Sequence, residues 1–116
     1  MVSEVSRERL FAGCWRILEV YGWSSDYLNL VTKAHFTFDG DDGEFALGEI
    51  EGSLDVHYDL RGDSHCAEFS WDGHDMGAVA NGRGWLAIIR GSRGFGHFYV
   101  HKGDNFAFVC KRKRRS

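Results

Sequence analysis

Two short stretches of this chain hold side-chain types that could do chemistry. Asp72-Gly73-His74-Asp75 sets an imidazole between carboxylates, a group able to hold a divalent cation or move a proton. A little further on, Gly82-Arg83-Gly84-Trp85 places a cation beside an aromatic, on a backbone free to approach a ligand closely. That arrangement suits a carboxylate or another small anion. Loop residues of these types more often satisfy their own backbone, and Arg83 has nearer partners in Trp85, Asp72 and Asp75.

The remaining combinations are weaker. His97 and His101 fall on one face of a strand, but ~13 Å apart at ~3.3 Å per residue, too far to share a metal. His57 stands two residues from Asp55 and Asp59 and is no better placed. In Ser64-His65-Cys66 the histidine and the thiol are strand neighbours and point to opposite faces. Asp41, Asp42 and Glu44 share a turn, where water keeps them ionised and unfit for general-acid work. There is no GxGxxG, P-loop, HExxH or GxSxG, and Arg61-Gly62-Asp63 reads as a turn. No catalytic constellation emerges, and no cofactor is implied.

These residues must be held by short strands. Ser3–Ala12 predicts one or two helical turns with Ser3 as cap. From Cys14 onward come eight apolar runs: Cys14–Tyr21, Ala34–Phe38, Glu44–Ile50, Ser53–Leu60, Cys66–Trp71, Trp85–Ile89, Phe95–His101 and Asn105–Cys110. A short helix over residues 24–31, capped by Ser24 or Ser25, separates the first two. Asp39–Gly43, Arg61–Ser64, Gly91–Gly94 and Lys102–Asp104 supply hairpin chemistry, and Gly52 suggests a further reversal. Eight strands joined in order predict an all-β, antiparallel up-and-down barrel, with a β-sandwich as runner-up.

Alternation points Trp15, Phe36, Phe38, Leu54, Val56, Tyr58, Leu60, Phe69, Trp71, Trp85 and Phe98 inward. The last three runs, between residues 85 and 109, are apolar on both faces. Their second face is expected either beneath the N-terminal segment or in a homodimer interface. The stretch from Asp72 to Gly84 is the longest connection and reads as a lid over the barrel mouth.

Composition bounds the rest. The chain of 116 residues and 13.2 kDa is one domain's worth, with 15 glycines for turns and no proline. Residues 1–105 hold all 17 carboxylates and 9 of the 14 Lys and Arg residues, a balance of −8. The tail Lys111-Arg112-Lys113-Arg114-Arg115-Ser116 adds +5. The domain is therefore read as 1–110, a single barrel, followed by a basic tail over 111–116. An acidic body argues against nucleic acid on the barrel itself, leaving weak association through Lys111–Arg115. Cys14, Cys66 and Cys110 are odd in number and lack CxxC spacing, which predicts free thiols and a cytoplasmic setting. The opening Met1–Arg9 has no apolar core, so neither a signal peptide nor a membrane span is expected.

Phe11-Ala12-Gly13-Cys14-Trp15 contains a GxW start that resembles the calycin superfamily of lipocalins and fatty-acid-binding proteins. The resemblance implies a tryptophan closing one barrel end under a helical turn, with Lys111 or Arg112 packed over it. From Gly13 to Phe108 the chain also resembles a family of small bacterial β-barrel proteins with no established activity. That likeness runs through Trp15-Arg16-Ile17, residues 68–75, Gly82-Arg83-Gly84-Trp85 and His101-Lys102-Gly103-Asp104.

The sequence thus leads to a non-catalytic binding protein for a small amphipathic ligand or a protein partner. Trp15, Tyr58, Trp71, His74, Asp75, Arg83 and Trp85 are the expected ligand-binding residues. The alternatives are a small enzyme using His74, Asp75 and Arg83 on a small acid, and tail-driven nucleic-acid or membrane association.

Overall fold

Gly13 to Arg112 forms a closed antiparallel barrel in which each strand pairs with its sequence neighbour and β1 pairs with β8. The computed structural model describes residues 4–113; the Ser3 cap and Arg114, Arg115 and Ser116 of the tail lie outside these. The strands are β1 (Gly13–Val20), β2 (His35–Asp39), β3 (Asp42–Leu47), β4 (Ile50–Arg61), β5 (Ser64–Asp75), β6 (Ala78–Arg90), β7 (Arg93–Val100) and β8 (Asn105–Arg112). Two short helices, α1 (Glu4–Phe11) and α2 (Ser25–Leu28), flank β1. Closure pairs every strand edge, so no sandwich forms and the lack of edge-blocking proline costs nothing.

Strand and turn chemistry explains the order. The Ser24 hydroxyl accepts a hydrogen bond from the Tyr27 amide at 3.1 Å and starts α2, as its cap position requires. The reversal between β3 and β4 falls at Gly48-Glu49, not at Gly52, which lies inside β4 opposite Gly73. The stretch expected to form a lid is a hairpin. β5 runs on to Asp75 and β6 begins at Ala78, joined by Met76-Gly77 with φ of 54° and 83°. Two successive positive φ values match the tight turn that suits strand twist. The polar and glycine residues there conceal the strand period, because this part of the hairpin buries little apolar surface.

Alternate positions fill the lumen. Phe36, Phe45, Phe69, Phe98, Phe106 and Phe108 are buried with Trp71, Leu54, Val56 and Leu86. Their rings form a continuous stack: Phe36 meets Phe108 at 5.1 Å and Phe69 at 5.5 Å, and Phe45 meets Phe98 at 5.3 Å. Trp71 and Phe106 lie stacked on Phe98 at 5.0 and 5.3 Å. Glycines make the room: a Cβ on Gly96 would meet Phe108 Cζ at 2.6 Å, and one on Gly84 would meet Phe69 Cζ at 2.6 Å.

Two expected inward residues are not inside. Trp85 points outward between the inward Gly84 and Leu86, and Leu60 is exposed near the end of β4. Both sit where the sequence pattern is apolar on each face or where the strand outruns the barrel core.

α1 closes the lower end. Phe11 enters the barrel and packs on Tyr58 at 5.5 Å, Trp15 at 5.9 Å and Phe38 at 6.0 Å. Among the described residues α1 packs at the barrel end, chiefly against β4, and not on the outer face of β6 and β7. Replacing Gly96 with Ala should cost at least about 1–3 kcal/mol, because the added Cβ strikes the Trp85 backbone carbonyl and overpacks against Phe108. A lower urea midpoint with an unchanged slope is the expected result.

Candidate functional site

Three of the expected ligand residues are committed to the barrel itself. The Trp15 indole is fully buried and donates Nε1–H to the Phe11 carbonyl at 2.9 Å. Trp71 donates to the Tyr99 carbonyl at 2.9 Å, and the Tyr58 hydroxyl donates to the Gly40 carbonyl. Burial pushes the Tyr58 pKa well above its ordinary 10.0, with Glu8, Asp41 and Asp39 adding to the shift. A neutral hydroxyl locked to a backbone carbonyl has no proton to trade at neutral pH.

His74, Asp75 and Arg83 do not converge. All three lie on the β5–β6 hairpin, with His74 opposite Val79 and Asp75 opposite Ala78. Arg83 pairs with Ser70, four positions along the strand from His74, or ~13 Å at ~3.3 Å per residue. His74 and Asp75 are strand neighbours and so face opposite sides. The Arg83 guanidinium lies 5.2 Å from the Tyr99 ring, and Trp85 is covered by Arg61 at 4.1 Å. Among the described residues, no three His, Cys, Asp or Glu side chains stand close enough to hold a metal.

The basic residue at the barrel floor is Arg112. It is the cross-strand neighbour of Trp15, and its guanidinium donates to the carbonyls of Ala12 and, at 3.0 Å, of Arg9. A cation on the last carbonyls of a helix satisfies acceptors that the helix leaves open and opposes its dipole.

The outer surface of β6–β8 gathers Trp85, an expected ligand residue, with Phe95, His97 and Tyr99, which are not among the expected ligand residues. Glycine and aromatic positions alternate on β7, with Gly94, Gly96 and Phe98 inward and Phe95, His97 and Tyr99 outward. Phe95 meets Trp85 edge-on at 6.0 Å, and His97 meets Tyr99 at 4.7 Å. His97 is fixed by Asn105 Oδ1, 2.8 Å from its Nε2. All four rings are half-buried. The period-2 pattern carries the signal for them once glycine is counted as an inward residue.

Beside this face, at the seam where β1 meets β8, lies an open groove of about 1510 Å³. Its ten lining residues include Arg9, Arg16, Lys111, Arg112 and Lys113, together with Cys14, and no carboxylate. A smaller depression of about 300 Å³ sits at the far end among Val31, Ile50 and Met76. Among the described residues no helix is long and apolar enough to cross a membrane.

Comparison with protein-family models, curated proteins and solved structures returns no match to this chain.

The three cysteines are free, and burial raises the pKa of both Cys66 and Cys110. For Tyr58, Cys66 and Cys110 the folded state holds the proton more tightly than the unfolded chain. Their stabilising effect is therefore complete below the ordinary values and is lost as pH rises past 9.0 for the thiols and 10.0 for the phenol. Denaturant midpoints should be flat near neutrality and fall above about pH 9. Arg112→Ala should cost about 2–3 kcal/mol by orphaning the α1 carbonyls. Faster amide exchange confined to α1 and the β1–β8 seam would accompany it.

Proposed function

We propose that this chain is a non-catalytic binding protein that works through the outer face of β6–β8 rather than through its lumen. The observation that carries this reading is the contrast between the two sides of the same strands. Inward, packed phenylalanines and Trp71 occupy the volume in which an eight-stranded barrel can otherwise hold one small ligand. Outward, Trp85, Phe95, His97 and Tyr99 stay half-exposed, with the guanidinium groups of Arg61 and Arg83 over Trp85 and Tyr99 among the described residues. The filled lumen favours a macromolecular partner over the small amphipathic ligand.

Trp15 buried under α1, with Arg112 as its neighbour on the last strand, supports a calycin-like origin for the scaffold. Three free cysteines support a reducing, cytoplasmic setting. The separation of His74 from Arg83 weighs against the small-acid enzyme.

A photo-crosslinking amino acid in place of Ala107, which lies outward opposite His97, should give adducts with a cellular macromolecule. The same group in place of Asp55, on the opposite side of the barrel, should give none. Equal adducts from both positions, or none from Ala107, would overturn this reading. An adduct between two copies of the chain would identify the partner as a homodimer.

A further inference from the structure

The net charge of the barrel conceals a division. Residues 76–116 hold nine of the 14 Lys and Arg residues and one carboxylate, Asp104. Strands β6, β7 and β8 carry no carboxylate at all. On the other side, the outward positions of β3–β5 hold Asp42, Glu44, Glu51, Asp55, Glu68 and Asp72, all exposed. In a closed eight-stranded order β4 and β5 stand diametrically opposite β8 and β1. The acids of β3 and β4 therefore face away from β7 and β8, while Glu68 on β5 is the cross-strand neighbour of Trp85 and Glu19 stands on β1 beyond Arg16.

Closure adds the decisive cations. Arg16 on β1 is the cross-strand partner of Lys111, which is in turn the partner of Arg93 on β7. These three form one row across the seam and continue into the groove that holds Arg9 and Lys113. Arg16 Nε is buried from solvent and has no hydrogen-bond partner among the described residues. From Arg93, β7 leads past Phe95 and His97 to Tyr99, ~20 Å away at ~3.3 Å per residue, where Arg83 lies over the ring.

We infer that this face binds single-stranded nucleic acid, with phosphates on the Arg16–Lys111–Arg93 row and bases stacked on Tyr99, His97 and Phe95. The inference rests on the reading of the β6–β8 face as the binding surface. A track of cations beside exposed rings is what an unpaired strand offers phosphates and π-faces to. A duplex presents the phosphates but keeps its bases stacked inside. An acidic peptide, or the acidic side of a second copy, answers the cations and leaves the rings without a flat partner. The arginine planes over Tyr99 and Trp85 add stacking surface of their own. The acids of β3 and β4, turned away, repel phosphate and set which face meets the strand.

Fluorescence anisotropy of the full chain with labelled 15-mers of uridine or thymidine tests this. Binding at low salt should weaken with a log–log slope of about −2 to −3, as three or four phosphate contacts on a single strand predict. Tyr99→Ala should weaken it by about 5-fold or more, with Tyr99→Phe restoring it, since stacking needs the ring and not the hydroxyl. Arg16→Glu and Lys111→Glu should each weaken binding, and Asp55→Asn should leave it unchanged. Bound oligonucleotide should slow alkylation of Cys14 in the groove.

No anisotropy change at low salt would overturn the inference. So would binding that polyglutamate competes equally and Tyr99→Ala leaves intact, since that is tail-driven polyanion attraction. A protein, or a second copy, crosslinked at position 107 would leave the binding face standing and remove nucleic acid as its occupant. Absence of any adduct there would remove both.

Discussion

Closing eight strands into a barrel creates an interior that has to be filled from the strands' own alternate positions, and everything else here follows from how that is done. Six phenylalanines and Trp71 meet across the lumen, while glycines such as Gly84 and Gly96 yield the space that the rings occupy. Each ring taken out of water is worth about 1.5–3 kcal/mol. Because packing at this density tolerates neither gap nor surplus, ring and glycine positions depend on each other.

The open lower end is completed by the chain's two extremities. Phe11 supplies the last ring, the Trp15 indole ties it to the barrel floor, and Arg112 holds the α1 carbonyls from the final described strand. A contact between residues 12 and 112 links the start of the barrel to its finish, so the plug and the β1–β8 seam stand or fall together. The same seam brings Arg16 to Lys111, which means that closure serves both stability and the surface.

The filled lumen is what supports the proposal that binding takes place on the outer surface. Glycine on the inner side of β7 demands nothing of the outer side, where Phe95, His97 and Tyr99 are free of any packing duty within the barrel. Large rings left half-exposed in a chain that buries so many others are the feature on which the proposed binding face rests. The β5–β6 hairpin, which carries the most reactive-looking residues, instead spreads them along two faces.

Much of this was legible in the residues. The strand order, the hairpin turns at Gly40, Gly62 and Gly91, the Ser24 cap and the inward Phe36, Phe69 and Trp71 follow from period-2 alternation and turn chemistry, which act locally. The full length of β5 and β6 was not, since Gly73, Ala80 and Gly82 break the apolar pattern without breaking the ladder. Trp85 lies outward, against its expected inward place, because its strand is apolar on both sides and alternation then has no phase. The sequence by itself determined that the chain is a many-stranded β domain with free thiols and an acidic total. Only the tertiary structure decided that the acids of β3 and β4 and the cations of the β7–β8–β1 seam occupy opposite sides. Net charge is a sum without position, and pairing β1 with β8 is a contact between residues nearly a hundred positions apart that no local pattern encodes.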